Sequence, residues 1–239
     1  KGEVLFFIDG DMEILPDFLP NVIKNDQFLY EFVSGTWIDY KYDTFGRLIS
    51  KDQYDSSKKV DKLSSTTGGL FLIKRELWFE VGGMKNKMRR SQDLDIALRL
   101  AKRGIFLLRK KELLAIHHTV PYNDKKRMWK MLISGDNVYR VLLLRENILN
   151  HNEWILFLRG NYTFISLLLA LILIMIFQKY IIVFLYFIVI VGRILFRKER
   201  SIRLLVSSMI YILIYEISML LALFFYWPKS YNEKYVSMQ

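Results

Sequence analysis

The sequence predicts an α/β domain followed by an all-α transmembrane region of about three helices. Val4–Ile8 is a continuous apolar run, typical of a strand buried on both faces of a parallel sheet. Leu94, Ala97, Leu98 and Ala101 recur at helical spacing, which predicts a helix with one buried face. Most acids and glycines lie before about residue 125 and the long apolar runs lie after residue 161, so the two parts are separate along the chain.

Further elements of the α/β domain follow in order. Phe28–Ile38 predicts a second strand that is broken at Ser34–Gly35, and the polar stretch Tyr40–Ser65 predicts a long exposed loop. Additional strands are predicted over 66–73, 105–108 and 113–116, and helices over 74–81 and from Ser91 to Gly104. The α/β domain is thus expected to occupy residues 1–123.

Residues 124–160 are predicted to be an amphipathic linker lying on an anionic membrane surface, because apolar and basic residues alternate there. A domain helix with a solvated charged face remains the alternative. Residues 161–239 form the predicted transmembrane region. Its spans are expected at about 162–177, 180–195 and 204–227, since a helix needs about 20 apolar residues to cross a bilayer.

The distribution of charge predicts the location. The net charge is +11, and a basic loop separates the second and third spans. The positive-inside rule makes this loop cytoplasmic. The chain is therefore expected to be a multi-pass protein of the cell membrane, with its globular domain on the cytoplasmic face and the tail after Trp227 outside. No nucleic-acid-binding motif is present, so nucleic acid is not an expected partner. The basic residues of the loop are Arg193, Arg197, Lys198, Arg200 and Arg203.

Asp9 and Asp11 follow the first predicted strand, at the edge of the sheet where α/β proteins bind ligands. Two carboxylates in this position suit a hard divalent ion, Mg²⁺ or Mn²⁺, which would neutralise a diphosphate. An Asp-rich turn without a ligand is the alternative.

Asp93 falls in the first turn of a predicted helix, where the positive helix end favours an ionised carboxylate. Such a group could accept a proton from a hydroxyl. Asp95 is a rival for this role, and a helix-capping acid is the alternative. Gly68 and Gly69 permit close approach of a ligand to the backbone, or they form an ordinary turn.

Two further features have open interpretations. His117 and His118 follow a predicted strand, and a histidine there is either a neutral metal ligand or a packed side chain. Glu216 lies near the middle of the last span, where it marks a polar pathway or a hydrogen-bonded carboxylate.

The order of these residues resembles glycosyltransferase family 2 over roughly residues 3–120. Phe7–Asp11 with Leu15–Leu19 resembles the donor-site strand and its Asp-x-Asp motif. Thr67–Arg75 with Val81–Met84 looks like the acceptor-side segment, and Ser91–Leu100 is similar to the catalytic helix.

The resemblance implies a partial GT-A domain, a Rossmann-like α/β sandwich. It implies that Asp9 and Asp11 bind the nucleotide-sugar donor, and that Asp11 and His118 hold the Mg²⁺ or Mn²⁺ ion. By the same resemblance, Gly68, Gly69 and Gln92 lie on the acceptor side, and Asp93 is the base of an inverting transfer. Gln92 stands where the family usually has Glu, and no Gln-x-x-Arg-Trp motif is present.

Three functions follow as hypotheses. The first is a membrane glycosyltransferase that moves a sugar from a nucleotide-sugar to a glycan or lipid-linked acceptor in cell-surface polysaccharide or glycolipid synthesis. The second is a truncated or split transferase, because the family's first nucleotide-binding strands are expected before Lys1, and another chain could supply them. The third is a membrane transport subunit built from the spans.

Overall fold

A computed structural model of the chain describes residues 2–25, 27–43, 45–54, 60–121, 124–196 and 202–228, with the side chains of the last range described from Leu205 onward. These residues form two compact units divided between Met128 and Trp129. The strands are β1 (Val4–Ile8), β2 (Met12–Ile14), β3 (Ile23–Lys24), β4 (Gln27–Phe28), β5 (Phe32–Tyr42), β6 (Leu48–Gln53), β7 (Lys62–Ser64), β8 (Leu70–Lys74) and β9 (Leu107–Thr119). The helices are α1 (Phe18–Val22), α2 (Arg75–Glu80), α3 (Gln92–Lys102), α4 (Lys125–Ile133), α5 (Tyr139–Glu146), α6 (His151–Phe177), α7 (Ile181–Phe196) and α8 (Ile202–Phe225), with a 3₁₀ turn at Asp136–Val138.

The first unit confirms the predicted α/β class. Within the described residues its large sheet has seven strands, ordered β1-β8-β5-β9-β2, with β6 beside β5 and β7 beside β9. The pair β5–β9 is parallel, and the other pairs of this sheet are antiparallel. The side chains of α3 and β8 form one apolar core with Phe32 and Leu107.

The prediction that β1 is buried on both faces of a parallel sheet is wrong. Among the described strands β1 pairs with β8 alone, and that pairing is antiparallel. Phe6 and Ile8 are 40% and 41% exposed, because β1 lies at the edge of the sheet and only part of its surface is covered. An apolar run has the same appearance whether the strand is central or at an edge.

The predicted break at Ser34–Gly35 is also wrong, because β5 continues through both residues. The register with β9 shifts between Ser34 and Thr36, so the chain absorbs an irregularity without ending the strand. Gly35 is needed for close packing: a Cβ at this position would lie 2.3 Å from Leu114 Cδ1.

The predicted loop over residues 40–65 instead contains the end of β5, the strand β6 and the short strand β7. Polar side chains on exposed strands produced the loop-like composition, since β6 exposes nearly all its residues. Likewise, the two short strands predicted at 105–108 and 113–116 are one strand, β9, which spans 13 residues.

The second unit contains helices that could cross a membrane. α6 has 27 residues, and Leu205–Phe225 of α8 has 21; both are long and apolar enough to span a bilayer. α7 is apolar but has 16 residues, so a third span is not established. α6 begins before the predicted span and has a non-helical backbone at Asn161, where its helix is kinked.

Polar contacts join these three helices inside the second unit. Tyr186 of α7 donates a hydrogen bond of 2.6 Å to Glu216 of α8. Arg193 of α7 donates to the Gly160 carbonyl beside the kink of α6, at 2.9 Å. Glu216 is therefore a partnered carboxylate that ties helices together, as hydrogen-bonded polar groups commonly do in membrane bundles.

The predicted linker over residues 124–160 contains α4, the 3₁₀ turn, α5 and the start of α6. α4 has no buried residue, which is typical of a surface helix. In contrast, α5 buries Tyr139 and Val141–Leu144. Its Val141 and Leu144 pack in one cluster with Phe157 and Met219. Residues 197–201 of the basic loop and 229–239 of the tail lie outside the described residues, as does the side chain of Arg203.

Gly35→Ala is expected to destabilise the first unit by about 1–3 kcal/mol, because the new methyl group overlaps the Leu114 side chain. The measurement is the thermal unfolding midpoint of the detergent-solubilised chain. Gly2→Ala is the matched control, since its Cβ would meet only the Val4 carbonyl at an ordinary 3.5 Å. Equal midpoints for the two variants would contradict the packing described here.

Candidate active site

Asp9 is positioned by its contacts with Gly69. The Asp9 N–H donates to the Gly69 carbonyl at 2.7 Å, which joins the end of β1 to the residue before β8. A Cβ on Gly69 would lie 1.8 Å from Asp9 Oδ2, so the carboxylate occupies the space that any side chain there would need. Gly68 similarly faces Trp37, whose Cη2 would be 3.3 Å from an added Cβ. The predicted donor-side acid and the two predicted acceptor-side glycines are therefore brought together.

Asp11 follows in a turn that the Met12 N–H closes onto the Asp9 carbonyl at 3.0 Å. Its Oδ2 lies 3.4 Å from His117 Nε2, and the Asp11 side chain is 53% exposed. The other ring nitrogen of His117, Nδ1, lies 2.8 Å from Asp39 Oδ1. One histidine thus connects a solvent-facing carboxylate with a buried one.

The structure does not bring His118 to Asp11's carboxylate. Adjacent residues of a strand point to opposite faces of the sheet, so His117 and His118 diverge. The Nε2 of His118 lies 3.5 Å from Glu13 Oε2, and its Nδ1 lies 2.8 Å from the hydroxyl of Tyr42. Of the two neighbouring histidines, His117 is thus the one whose ring lies beside the Asp11 carboxylate.

Asp93 lies in the first turn of α3, as its position in the sequence predicts. Burial raises the pKa of its carboxyl, and the negative charge of Asp9 raises the pKa further, while hydrogen bonding from the Leu94 N–H lowers it. Ser91 occupies the N-cap position but makes no side-chain cap, and its φ of 62° is left-handed. Asp93 is thus an acid with a raised pKa at a helix start that Ser91 does not cap, and such perturbed acids are often functional.

The pKa of Asp9 is also raised. The protein atoms packed on one side of this otherwise exposed carboxyl raise the pKa, and repulsion from Asp11 adds to the effect, while His117 lowers the pKa. Asp9 therefore interacts electrostatically with both Asp11 and Asp93, and these like charges favour the protonated forms of Asp9 and Asp93.

Asp95 has a different role from Asp93. It is fully buried and forms ion pairs with Lys85 at 3.3 Å and with Arg99 at 2.7 Å. Arg99 also donates to the carbonyls of Val81 and Gly83, so the network holds the glycine turn after α2 against α3. Asp95 is a structural acid, and the geometry removes it as a rival to Asp93.

Gln92 makes a hydrogen bond that the Glu usually found at this position in the resembling family could not make, because a carboxylate cannot donate. Its side-chain amide donates to the Lys85 carbonyl at 3.3 Å, which ties the start of α3 to the loop before it. The amide oxygen of Gln92 is the atom of this side chain that could accept a hydrogen bond from an acceptor hydroxyl.

Among the described residues no group of three or more His, Cys, Asp or Glu side chains is arranged to hold a metal ion. The pair Asp11 and His117 still fits a divalent ion that keeps open positions. A 3.4 Å separation between two ligand atoms is compatible with bonds of about 2.1 Å to one Mg²⁺. The remaining positions would be available to phosphate oxygens and water.

Asp39 is a candidate that sequence analysis did not single out, and His117 was named there only as one of two adjacent histidines. Asp39 is 5% exposed within a strand of otherwise mainly apolar buried residues, and this charge in a buried strand is the signal that could have identified it. The choice of His117 over His118 depends on strand register, which the sequence does not specify.

No protein-family model matches the sequence, and no curated protein matches it. Among solved structures, the crystal structure of GalNAc-T7 with UDP, GalNAc and Mn²⁺ is similar over 49% of this chain and 28% of that chain, with 16% sequence identity and a TM-score of 0.36. The match spans less than a third of the length of that protein. At this level the similarity is weak, and it identifies neither a family nor a ligand for this chain.

Asp93→Asn is expected to stabilise the fold at pH 7 by about 0.5–2 kcal/mol, because it removes a charge that the folded state disfavours. Since the folded pKa is raised, the wild-type stability should fall as pH rises from the ordinary carboxyl pKa through the folded value. The variant should lack that decline. The measurement is the unfolding midpoint of both proteins between pH 4 and about pH 8.

Asp95→Asn is the matched control on the same helix. It breaks a buried ion pair, which costs about 3–5 kcal/mol, so the unfolding midpoint should fall instead of rising. If both variants changed stability in the same direction, the distinction between the two acids would be wrong.

Proposed function

We propose that this chain is a membrane-bound inverting glycosyltransferase of the GT-A type, which moves a sugar from a nucleotide-sugar donor to a glycan or lipid-linked acceptor. The observation that carries the proposal is that Asp9 lies against Gly69 and interacts electrostatically with both Asp11 and Asp93. These residues come from the turn after β1, the segment before β8 and the first turn of α3. They match, in order, the motifs that resemble glycosyltransferase family 2.

In this proposal Asp9 and Asp11 form the donor side of the site. Asp11, together with His117, would hold Mg²⁺ or Mn²⁺, which when bound neutralises the diphosphate of the leaving group. The resemblance assigns this histidine role to His118, whereas the 3.4 Å approach to Asp11 favours His117.

Asp93 would be the general base. A hydroxyl oxygen of the acceptor attacks the anomeric carbon of the donor while the bond from that carbon to the diphosphate breaks. The hydroxyl proton passes to the Asp93 carboxylate, and the nucleoside diphosphate leaves with the bonding electron pair. A raised pKa makes Asp93 a stronger base than an ordinary aspartate. Attack opposite the leaving group inverts the configuration.

The acceptor would approach along Gly68 and Gly69, with Gln92 at the start of α3. Because Gly69 has no side chain, the Asp9 carboxylate can lie directly against its backbone, on the side from which the acceptor would approach. A sugar or lipid-linked sugar has the hydroxyl groups that this transfer requires.

The helices of the second unit support the proposed membrane location. We place the chain in the cell membrane as a multi-pass protein with the globular domain on the cytoplasmic face, and with membrane lipid around α6 and α8. The support is the length and apolarity of these two helices and the basic residues next to Arg193. The surface helix α4, which is basic and has no buried residue, suits an anionic bilayer surface.

A split enzyme is the second candidate. Among the described strands, β1 pairs on one side only, and it exposes Phe6 and Ile8. Another chain that adds strands at this edge would cover both side chains and extend the donor side of the sheet. In that case nucleotide binding would need both chains.

The first test is binding of UDP and GDP to the purified, detergent-solubilised chain, with and without Mn²⁺. We expect binding that depends on the metal and is lost in Asp11→Ala. Glu13→Ala is the matched control, because the Glu13 carboxylate lies 3.5 Å from His118 Nε2 and is not one of the proposed ligands. Binding that is unchanged in Asp11→Ala would refute the assigned site. A folded chain that binds neither nucleotide would favour the split enzyme, and adding the missing partner should then restore binding.

A second test compares the two neighbouring histidines. His117→Ala should weaken Mn²⁺-dependent nucleotide binding by about 10-fold or more, because it removes a ligand beside Asp11, whereas His118→Ala should leave binding unchanged. The measurement is the nucleotide dissociation constant of each variant, determined by isothermal titration calorimetry at several Mn²⁺ concentrations. The opposite result would assign the metal to His118, as the resemblance implies.

A further inference from the structure

Asp39 is a buried acid at the centre of the sheet, beside the proposed metal-binding residues but not among them. It lies on β5, and its direct neighbour across the parallel pair is His117 on β9. On the other side of β9, His117 is opposite Met12 of β2. Strands on both sides therefore hold the backbone of His117, so the remaining freedom of the histidine is the orientation and protonation of its ring.

The hydrogen bond between Asp39 and His117 selects one tautomer. An ionised carboxylate can only accept hydrogen bonds, so the 2.8 Å contact with Asp39 Oδ1 places a proton on His117 Nδ1. In the neutral ring the lone pair is then on Nε2, which lies 3.4 Å from Asp11 Oδ2. A ring with the proton on Nε2 would have no lone pair to offer a cation at that position.

Asp39 is itself fixed in position. The indole N–H of Trp37 donates to the same Oδ1 at 3.1 Å. Trp37 stacks on Tyr54 with ring centroids 4.1 Å apart, and the buried guanidinium of Arg109 lies 5.2 Å from the indole ring. This packing also continues to Gly68, which faces the far edge of the indole ring. The acid is thus held by a rigid aromatic side chain instead of by solvent.

We propose that Asp39 is a positioning residue that holds His117 as the Nδ1–H tautomer and thereby presents Nε2 to a divalent cation beside Asp11. This inference rests on the proposed function for the identity of the cation, but the tautomer itself is a property of the protein alone. Carboxylate partners of this kind orient metal-binding histidines, and their removal lowers metal affinity by about 10–100-fold.

The test uses the full chain in lipid bilayers with ¹⁵N-labelled histidine. The sequence has three histidines, so the imidazole nitrogen signals are few and can be assigned by single substitutions. Without metal or nucleotide, we expect His117 to be the Nδ1–H tautomer at pH 8. In Asp39→Asn, whose amide can donate to Nδ1, we expect the signal to change to the Nε2–H tautomer. A wild-type His117 with its proton on Nε2, or an unchanged tautomer in Asp39→Asn, would overturn the inference.

Mn²⁺ affinity is the second readout, measured by electron paramagnetic resonance with the metal alone. Asp39→Asn should bind Mn²⁺ about 10–100-fold more weakly than the wild type. Asp52→Asn is the matched control, because Asp52 lies opposite Asp39 on β6 but its carboxylate accepts from Lys41, so tautomer and affinity should both be retained. Equal Mn²⁺ affinity in wild type and Asp39→Asn would overturn the metal-positioning role.

The two levels of the proposal can fail separately. A chain that binds Mn²⁺ through a tautomer set by Asp39, but that binds neither UDP nor GDP, would contradict the proposed function and support the role of Asp39. If the chain bound nucleotide with Mn²⁺ but His117 had the same tautomer in the wild type and in Asp39→Asn, the proposed function would be supported and the role of Asp39 would be contradicted.

Discussion

The carboxylate of Asp9 fills the space that a side chain on Gly69 would need, and the geometry of the site depends on this contact. The Asp9 N–H is bonded to the carbonyl of the same glycine, so two independent contacts join the turn after β1 to the start of β8. Asp11 follows Asp9 in a closed turn, and its position is therefore set by the same contact. The glycine segment and the two acids form one rigid arrangement, and any residue larger than glycine at position 69 would separate them.

Electrostatics distinguishes the acids that hold the fold together from those available for chemistry. Asp95 is fully buried, and Lys85 and Arg99 compensate its charge, which makes it part of the scaffold. Burial and neighbouring acids instead raise the pKa values of Asp9 and Asp93. Negative charge concentrated in this way lowers the stability of the folded protein at neutral pH, and in the proposed function a bound cation would offset that effect.

The pleat of β9 decides which histidine lies beside Asp11. One face of this strand places His117 between Asp39 and Asp11, and the other places His118 against Glu13 and Tyr42. A shift of one residue in the register would exchange the two histidines. The pairing of β9 with β5 and β2 is therefore as important for the chemistry as the identity of the side chains.

The sequence alone determined the α/β class of the first unit, the apolar helices of the second, the position of Asp93 in the first turn of α3 and the turn that carries Asp9 and Asp11. These features depend on local periodicity and on residues close in the chain. Tertiary structure decided that β1 is an edge strand, that β5 continues through Gly35, and that Asp95 is structural. It also decided that His117 and Asp39 join Asp11. Each of these outcomes depends on pairing or burial between segments distant in the sequence, such as Trp37–Asp39 with Ala115–His117, and neither register nor burial partner is encoded in a local pattern.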